Sequence, residues 1–147
     1  RQRLFVEDGR AYIERAHRDG QRYDMVMLDA FDVDYIPEHL MTLEFLQHVR
    51  GILAPGGVAV ANTFTNSQLY ERESATYAAV FGEFFNLRTG NRVIMAINGE
   101  LPDAEQLSRN ARAFDARLGP LGVDMREALD RFARMGAINS QTPLLRD

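Results

Sequence analysis

Acidic side chains recur in this sequence where strands are expected to end. Glu7-Asp8 follows the apolar run Leu4-Phe5-Val6, and Asp29, Asp32 and Asp34 follow the run Tyr23 to Leu28. A third run, Val58 to Ala61, leads into Asn62 and Thr63. In open α/β sheets ligands bind outside the carboxyl ends of the strands. Carboxylates from two such ends would converge on one rim, where like charges repel and a cationic ligand would neutralise them. A carboxylate near pKa 4 is a poor base in water for an alkylamine, whose pKa is about 10.4. Held against that amine, it can still orient it and accept its proton as a new bond forms. A single Asp at a strand end is more often a cap or a turn residue; recurrence at two ends favours a site.

Other candidates are weaker. Phe31 and Tyr35 lie in the acidic loop and either line the methylene stem of a diamine or anchor the loop. His39 is near that loop, whereas His17 and His48 sit among arginines and read as solvated surface. Ser67 and Ser74 lack a nucleophile elbow, which argues against a hydrolase triad. The chain has no cysteine, and its three histidines show no ligand spacing with carboxylates, so no metal is expected.

The elements that must position these residues alternate. Leu4 to Val6 reads as a strand and Arg10 to about His17 as a helix stopped by Asp19-Gly20. Tyr23 to Leu28 is nearly all apolar, as a strand covered on both faces requires. Thr42 can cap a helix carrying Leu43, Leu46, Val49, Ile52 and Leu53, and Pro55-Gly56-Gly57 reads as the turn out of it. After the third strand a helix is expected over about Leu69 to Phe85, with Tyr70, Tyr77, Phe81, Phe84 and Phe85 as core. Gly90-Asn91 between β-rich runs predicts a hairpin of Asn86–Thr89 and Arg92–Ile97. Asp103 and Asp124 can each start a further helix, the second including Ala128, Leu129 and Phe132. Gly136 to Asp147 reads as irregular. Alternation of this kind predicts an α/β fold with a mostly parallel sheet ending in an antiparallel hairpin, followed by a helical C-terminal tail.

The 147 residues, 46% hydrophobic and 26% charged, make about one globular domain and exclude a disordered tail or a disulfide scaffold. The formal charge of −4, with no Lys/Arg-rich run, argues against nucleic acid. No apolar run approaches the roughly 20 residues that span a bilayer. No secretory leader is seen at the start, so a cytoplasmic location is expected. The chain opens at Arg1 and reads as a piece whose N-terminal neighbour is missing. All 17 basic residues are Arg, a compositional bias rather than a functional signal.

The ordered motifs resemble spermidine synthases, the polyamine aminopropyltransferases. Arg3 to Arg10 with Tyr12-Ile13 looks like that family's segment ending in an acidic residue and Gly. Tyr23 to Asp32 looks like its strand ending in an Asp-x-x-Asp loop. Pro37 to Leu40, Phe45 to Val49 and Leu53 to Val58 follow in the family's order, so the likeness covers about residues 1 to 100. It implies a partial Rossmann-like methyltransferase fold, with residues 1–102 the C-terminal part of a catalytic domain and 103–147 a helical tail packed on it. It implies transfer of an aminopropyl group from decarboxylated S-adenosylmethionine to putrescine or a similar small amine, without metal. Asp29 would then hold the attacking amine and help take its proton. Asp8 and Gly9 would bind the nucleoside donor, and Asp32 and Tyr35 the amine. The family's Gly-rich donor loop is not in this sequence, nor are strands that sit between Leu4–Val6 and Tyr23–Leu28. The piece alone is expected to be inactive and to pair with the missing N-terminal half or with a copy of itself. The competing readings are an S-adenosylmethionine-dependent methyltransferase and a non-catalytic interaction module of the same fold.

Overall fold

A computed structural model of the chain describes residues 2–30, 36–88, 90–136 and 141–147. Its elements are α1 (Gly9–Arg18), β1 (Tyr23–Leu28), α2 (Leu43–Ile52), β2 (Leu53–Thr63), α3 (Tyr70–Phe81), β3 (Phe84–Arg88), β4 (Arg92–Ile97), α4 (Ala104–Leu118), α5 (Met125–Asp130) and β5 (Phe132–Met135). The five strands form one sheet in the order β1-β2-β4-β3-β5.

Local chemistry explains the elements nearest the rim. The Asp8 carboxylate accepts from the Ala11 N–H at 3.0 Å and caps α1, and Arg15, His17 and Arg18 suit the negative end of its dipole. The Thr42 hydroxyl accepts from the Phe45 N–H at 3.3 Å to start α2, whose Leu43, Leu46, Val49 and Ile52 are buried at helical spacing. α1, α2 and α3 pack side by side, and their buried residues join Ala59, Ala61, Ile94 and Ala96 of the sheet in one core.

The α/β architecture is as expected, with several corrections. The sheet is mainly antiparallel rather than mostly parallel: β1–β2 is parallel, and β2–β4, β3–β4 and β3–β5 are antiparallel. Leu4-Phe5-Val6 forms no strand: β1 pairs with β2, and no neighbour among the described residues offers Leu4-Phe5-Val6 a ladder. Leu4 and Val6 are left 84% and 95% exposed, and Phe5 leans on Tyr12 with ring centroids 5.3 Å apart. The third helix stops at Phe81, where Gly82 turns the chain at φ 78°, so Phe84 and Phe85 belong to β3. The tail is not wholly helical: Phe132 leaves the helix, stacks edge-on against Phe85 at 5.6 Å, and starts a strand along the free edge of β3.

Pro55-Gly56-Gly57 is not a turn between elements but an irregularity inside β2. Tyr23 pairs with Leu53 while Met25 pairs with Val58, so the extra residues bulge out of the ladder. Gly56 takes φ 76°, and a Cβ on Gly57 would lie 2.9 Å from the Ala54 carbonyl oxygen. Asn98 closes the bulge by exchanging backbone hydrogen bonds with Gly56 and Gly57 at 2.9 Å. His17 and His48 are not solvated surface. They face each other between α1 and α2, Nδ1 to Nδ1 at 2.8 Å, and both are half-buried.

In the tail, α4 buries only Ala111 of its own residues. Residues 141–147 return to the helical layer. Leu145 is buried, its carbonyl accepts from the Leu43 N–H at 2.8 Å, and its N–H donates to Thr76 Oγ1 at 3.0 Å.

Candidate active site at the ends of β1 and β2

Parallel pairing of Leu28 with Ala61 brings the next residues, Asp29 and Asn62, together at the carboxyl ends of their strands. Asn62 Nδ2 donates to Asp29 Oδ1 at 3.0 Å, and Asn91 Nδ2 donates to Asn62 Oδ1 at 3.2 Å. A carboxylate accepts only, which fixes the orientation of the Asn62 amide. The chain Asn91 to Asn62 to Asp29 therefore steers one carboxylate oxygen, and among the described residues no side chain donates to Asp29 Oδ2.

A cavity of about 490 Å³ opens beside Asp29. Glu7, Gly9, Tyr12, Asn62 and Glu73 contribute to its walls, with apolar surface from Met25 to Leu28 of β1. A Cβ on Gly9 would meet nothing within 4 Å, so this stretch of wall is open. Asp8 does not line the cavity. One of its oxygens caps α1 and the other stands 3.4 Å from His39 Nε2. The Ala11 N–H first, then His39, hold its carboxyl below the ordinary aspartate range. Glu7 is likewise held low by Arg15, which grips both its oxygens at 2.6 Å. The rim thus brings Glu7, Gly9 and Asp29 to one hollow with Asp8 at its border. Asp32 and Tyr35, like Phe31 and Asp34, lie outside the described residues.

The sequence reading missed a second carboxylate. Glu73 is 3% exposed, and its Oε2 accepts from Arg92 Nη1 at 3.0 Å. Arg92 is fully buried. It also donates to Asn86 Oδ1 and to Ser74 Oγ, each at 2.6 Å, and its guanidinium lies 4.0 Å from the Tyr70 ring centre. Burial raises the Glu73 pKa despite the attraction of Arg92. Burial also raises that of the Tyr77 hydroxyl, with Glu73 adding to the effect. The signal was present in the spacing: Glu73 lies three residues after Tyr70 and four before Tyr77, on the stripe that faces the core.

A second cavity of about 570 Å³ lies beyond β2 and shares Ile36, Met41 and Glu73 with the first. Among the described residues no group of three or more His, Cys, Asp or Glu is placed to hold a metal ion, and no helix is long and apolar enough to cross a membrane.

Fold and rim together define an α/β domain of the Rossmann-like methyltransferase type. A probable spermidine synthase from Corynebacterium glutamicum superposes with a TM-score of 0.66 at 24% identity, over 97% of this chain and 53% of that one. In sequence the chain is 47% identical over 127 residues to a polyamine aminopropyltransferase of Vibrio vulnificus, covering 84% of this chain and 42% of that protein. It is 30% identical over 158 residues to a probable polyamine aminopropyl transferase of Bifidobacterium longum, covering 95% of this chain and 35% of that protein. No family profile matches it. Over most of its length the chain is similar to polyamine aminopropyltransferases, and it spans about two-fifths of the length of the curated relatives it matches.

Proposed function

We propose that the full-length protein transfers an aminopropyl group from decarboxylated S-adenosylmethionine to putrescine or a similar small amine. The observation that carries this reading is Asp29, steered by Asn62, at the edge of a hollow that Gly9 leaves open. The nucleoside end of the donor lies against Gly9, and Asp8 Oδ2 receives the adenine amino group at the border of the hollow. Asp29 puts negative charge where the donor's sulfonium must sit. The acceptor amine lies against Asp29 Oδ2, with Asp32 and Tyr35 as further amine-binding residues. The amine nitrogen attacks the aminopropyl carbon next to sulfur. A C–N bond forms, the C–S bond breaks, and its electron pair leaves with neutral methylthioadenosine. Asp29 accepts the proton that the amine nitrogen sheds and passes it to solvent. Holding donor and acceptor in line contributes more than proton transfer, since positioning is worth up to about 7–11 kcal/mol.

The free edge of β1 is part of the same proposal. Met25 and Met27 are 57% and 66% exposed there. An uncovered apolar strand is a template for pairing, so a further strand joins it, from the remainder of the polypeptide or from a second copy.

Titration of the full-length protein with methylthioadenosine and putrescine tests the function. Binding of both, with turnover of decarboxylated S-adenosylmethionine in preference to S-adenosylmethionine, is expected. The reverse donor preference would make the protein a methyltransferase. Binding of neither would leave a non-catalytic module.

A further inference from the structure

Resting on that reading, we infer that Arg10, clamped by Asp147 of the returning C-terminal segment, is a positioning residue for the nucleoside donor. Neither residue lines the cavity beside Asp29. Arg10 acts through Gly9, its neighbour in the first turn of α1, which does line it. Whatever fixes Arg10 therefore fixes the wall against which the donor lies.

The partners of Arg10 come from separate parts of the molecule. Nε donates to Glu14 Oε1 at 2.8 Å, one turn along α1. Nη1 donates to the His39 carbonyl at 3.1 Å and to Asp147 Oδ1 at 2.7 Å, and Nη2 donates to Asp147 Oδ2. His39 belongs to the short helical turn Glu38–Leu40, and Leu40 and Met41 line the same cavity as Gly9. One guanidinium thus ties two walls of the cavity together. The His39 ring adds a second tie, with Nε2 3.4 Å from Asp8 Oδ2. A planar fork on a carboxylate fixes direction as well as distance, which an ammonium would not.

An ion pair between two loose side chains would position nothing. Here the carboxylate is carried by a segment bound to the core. Leu145 is buried, its carbonyl accepts from the Leu43 N–H at 2.8 Å, and its N–H donates to Thr76 Oγ1 at 3.0 Å. The Asp147 N–H donates to Glu44 Oε2 at 3.1 Å. α2 and α3 therefore hold the carboxylate, and α1 takes its orientation from them through Arg10.

The link to affinity is one of population. A protein that holds its binding-competent form only part of the time binds its ligand more weakly by that fraction. The clamp keeps the first turn of α1 in the form that receives the donor, while Asp29 at the end of β1 is untouched.

The test measures methylthioadenosine binding to the full-length protein, with Tm and with kcat and KM for both substrates. Arg10→Met keeps the stem and removes every tie. Its dissociation constant for methylthioadenosine should rise about tenfold, the lower end for hydrogen bonds to charged groups. At saturating donor, kcat and the KM for putrescine should stay as in the wild type. Asp147→Ala should raise the constant about two- to fivefold, the range for a partly exposed pair. It should add nothing in the Arg10→Met background, and it decides the matter if Arg10→Met does not fold. Glu105→Ala breaks the exposed pair with Arg109 on α4 and should leave donor binding unchanged. Unchanged methylthioadenosine binding in the folded Arg10 and Asp147 variants overturns the clamp. So does a joint loss of kcat and of affinity for both substrates, or an equal loss in Glu105→Ala, since either marks a general structural effect. A wild type that binds no methylthioadenosine would instead overturn the function on which the clamp rests.

Discussion

Asp29 and Glu73 line one cavity, yet the protein treats the two carboxylates in opposite ways. Asp29 sits at an open rim, and an exposed amide chain from Asn91 through Asn62 steers one of its oxygens. Glu73 is enclosed, and a guanidinium with no exposed surface holds it. The sheet shows the same contrast. Around β4 and β3 the core is complete, with Phe84, Ile94 and Ala96 fully buried, whereas the outer edge of β1 shows Met25 and Met27 to solvent. The carboxylate proposed to take up the amine's proton lies on the unfinished side. Groups that must stay put are anchored in the finished one.

The contrast predicts a graded response to substitution in the full-length protein. The largest loss of stability should come from Arg92→Leu, which strands the Glu73 charge. Breaking a buried pair in this way costs about 3–5 kcal/mol, readable from the urea midpoint. Phe84→Ala should cost a similar amount, about 3–5 kcal/mol, by opening a cavity in the completed core. Met27→Ala should stay within about 1 kcal/mol unless a further strand covers β1. A core-sized loss there would show directly that the edge is occupied.

The smallest effect concerns the C-terminal return. Arg10 donates to Asp147 Oδ1 at 2.7 Å, with a second bond to the other oxygen, and this holds the Asp147 pKa at about 2 against an ordinary 3.8. A depressed carboxyl pKa contributes stability that is complete above about pH 4 and fades as pH falls through about 2. The pair is partly exposed, so solvent limits it to about 0.2–1 kcal/mol. Asp147→Asn should therefore lower the Tm slightly at pH 7 and leave it unchanged near pH 2. An equal difference at both pH values would remove the ion pair from the account.

Much of this was legible in the residues. The caps at Thr42, Asp103 and Asp124 start helices as their side chains dictate, and a hairpin forms around Gly90-Asn91, although Arg88 pairs with Arg92, one residue out of register for a two-residue turn. Asp29 was recoverable because it follows a continuous apolar strand. What was not legible depended on partners distant in sequence. Leu4 to Val6 has strand composition but no ladder to join among the described residues. Phe132 has helix spacing but a better place beside Phe85. The Pro-Gly-Gly signal is a turn in most settings and a bulge where Asn98 closes it. His17 and His48 looked like surface until two helices crossed. Glu73 needed Arg92, 19 residues away, to be tolerated on a buried stripe.

The most direct test of the catalytic assignment is the turnover of Asp29→Asn in the full-length protein, with its Tm measured alongside. The substitution retains the shape of the side chain and an oxygen for Asn62. The account predicts a folded protein that still binds methylthioadenosine and whose kcat falls by about 10²–10⁴-fold, the usual worth of a positioned proton acceptor. A rate equal to that of the wild type would contradict it.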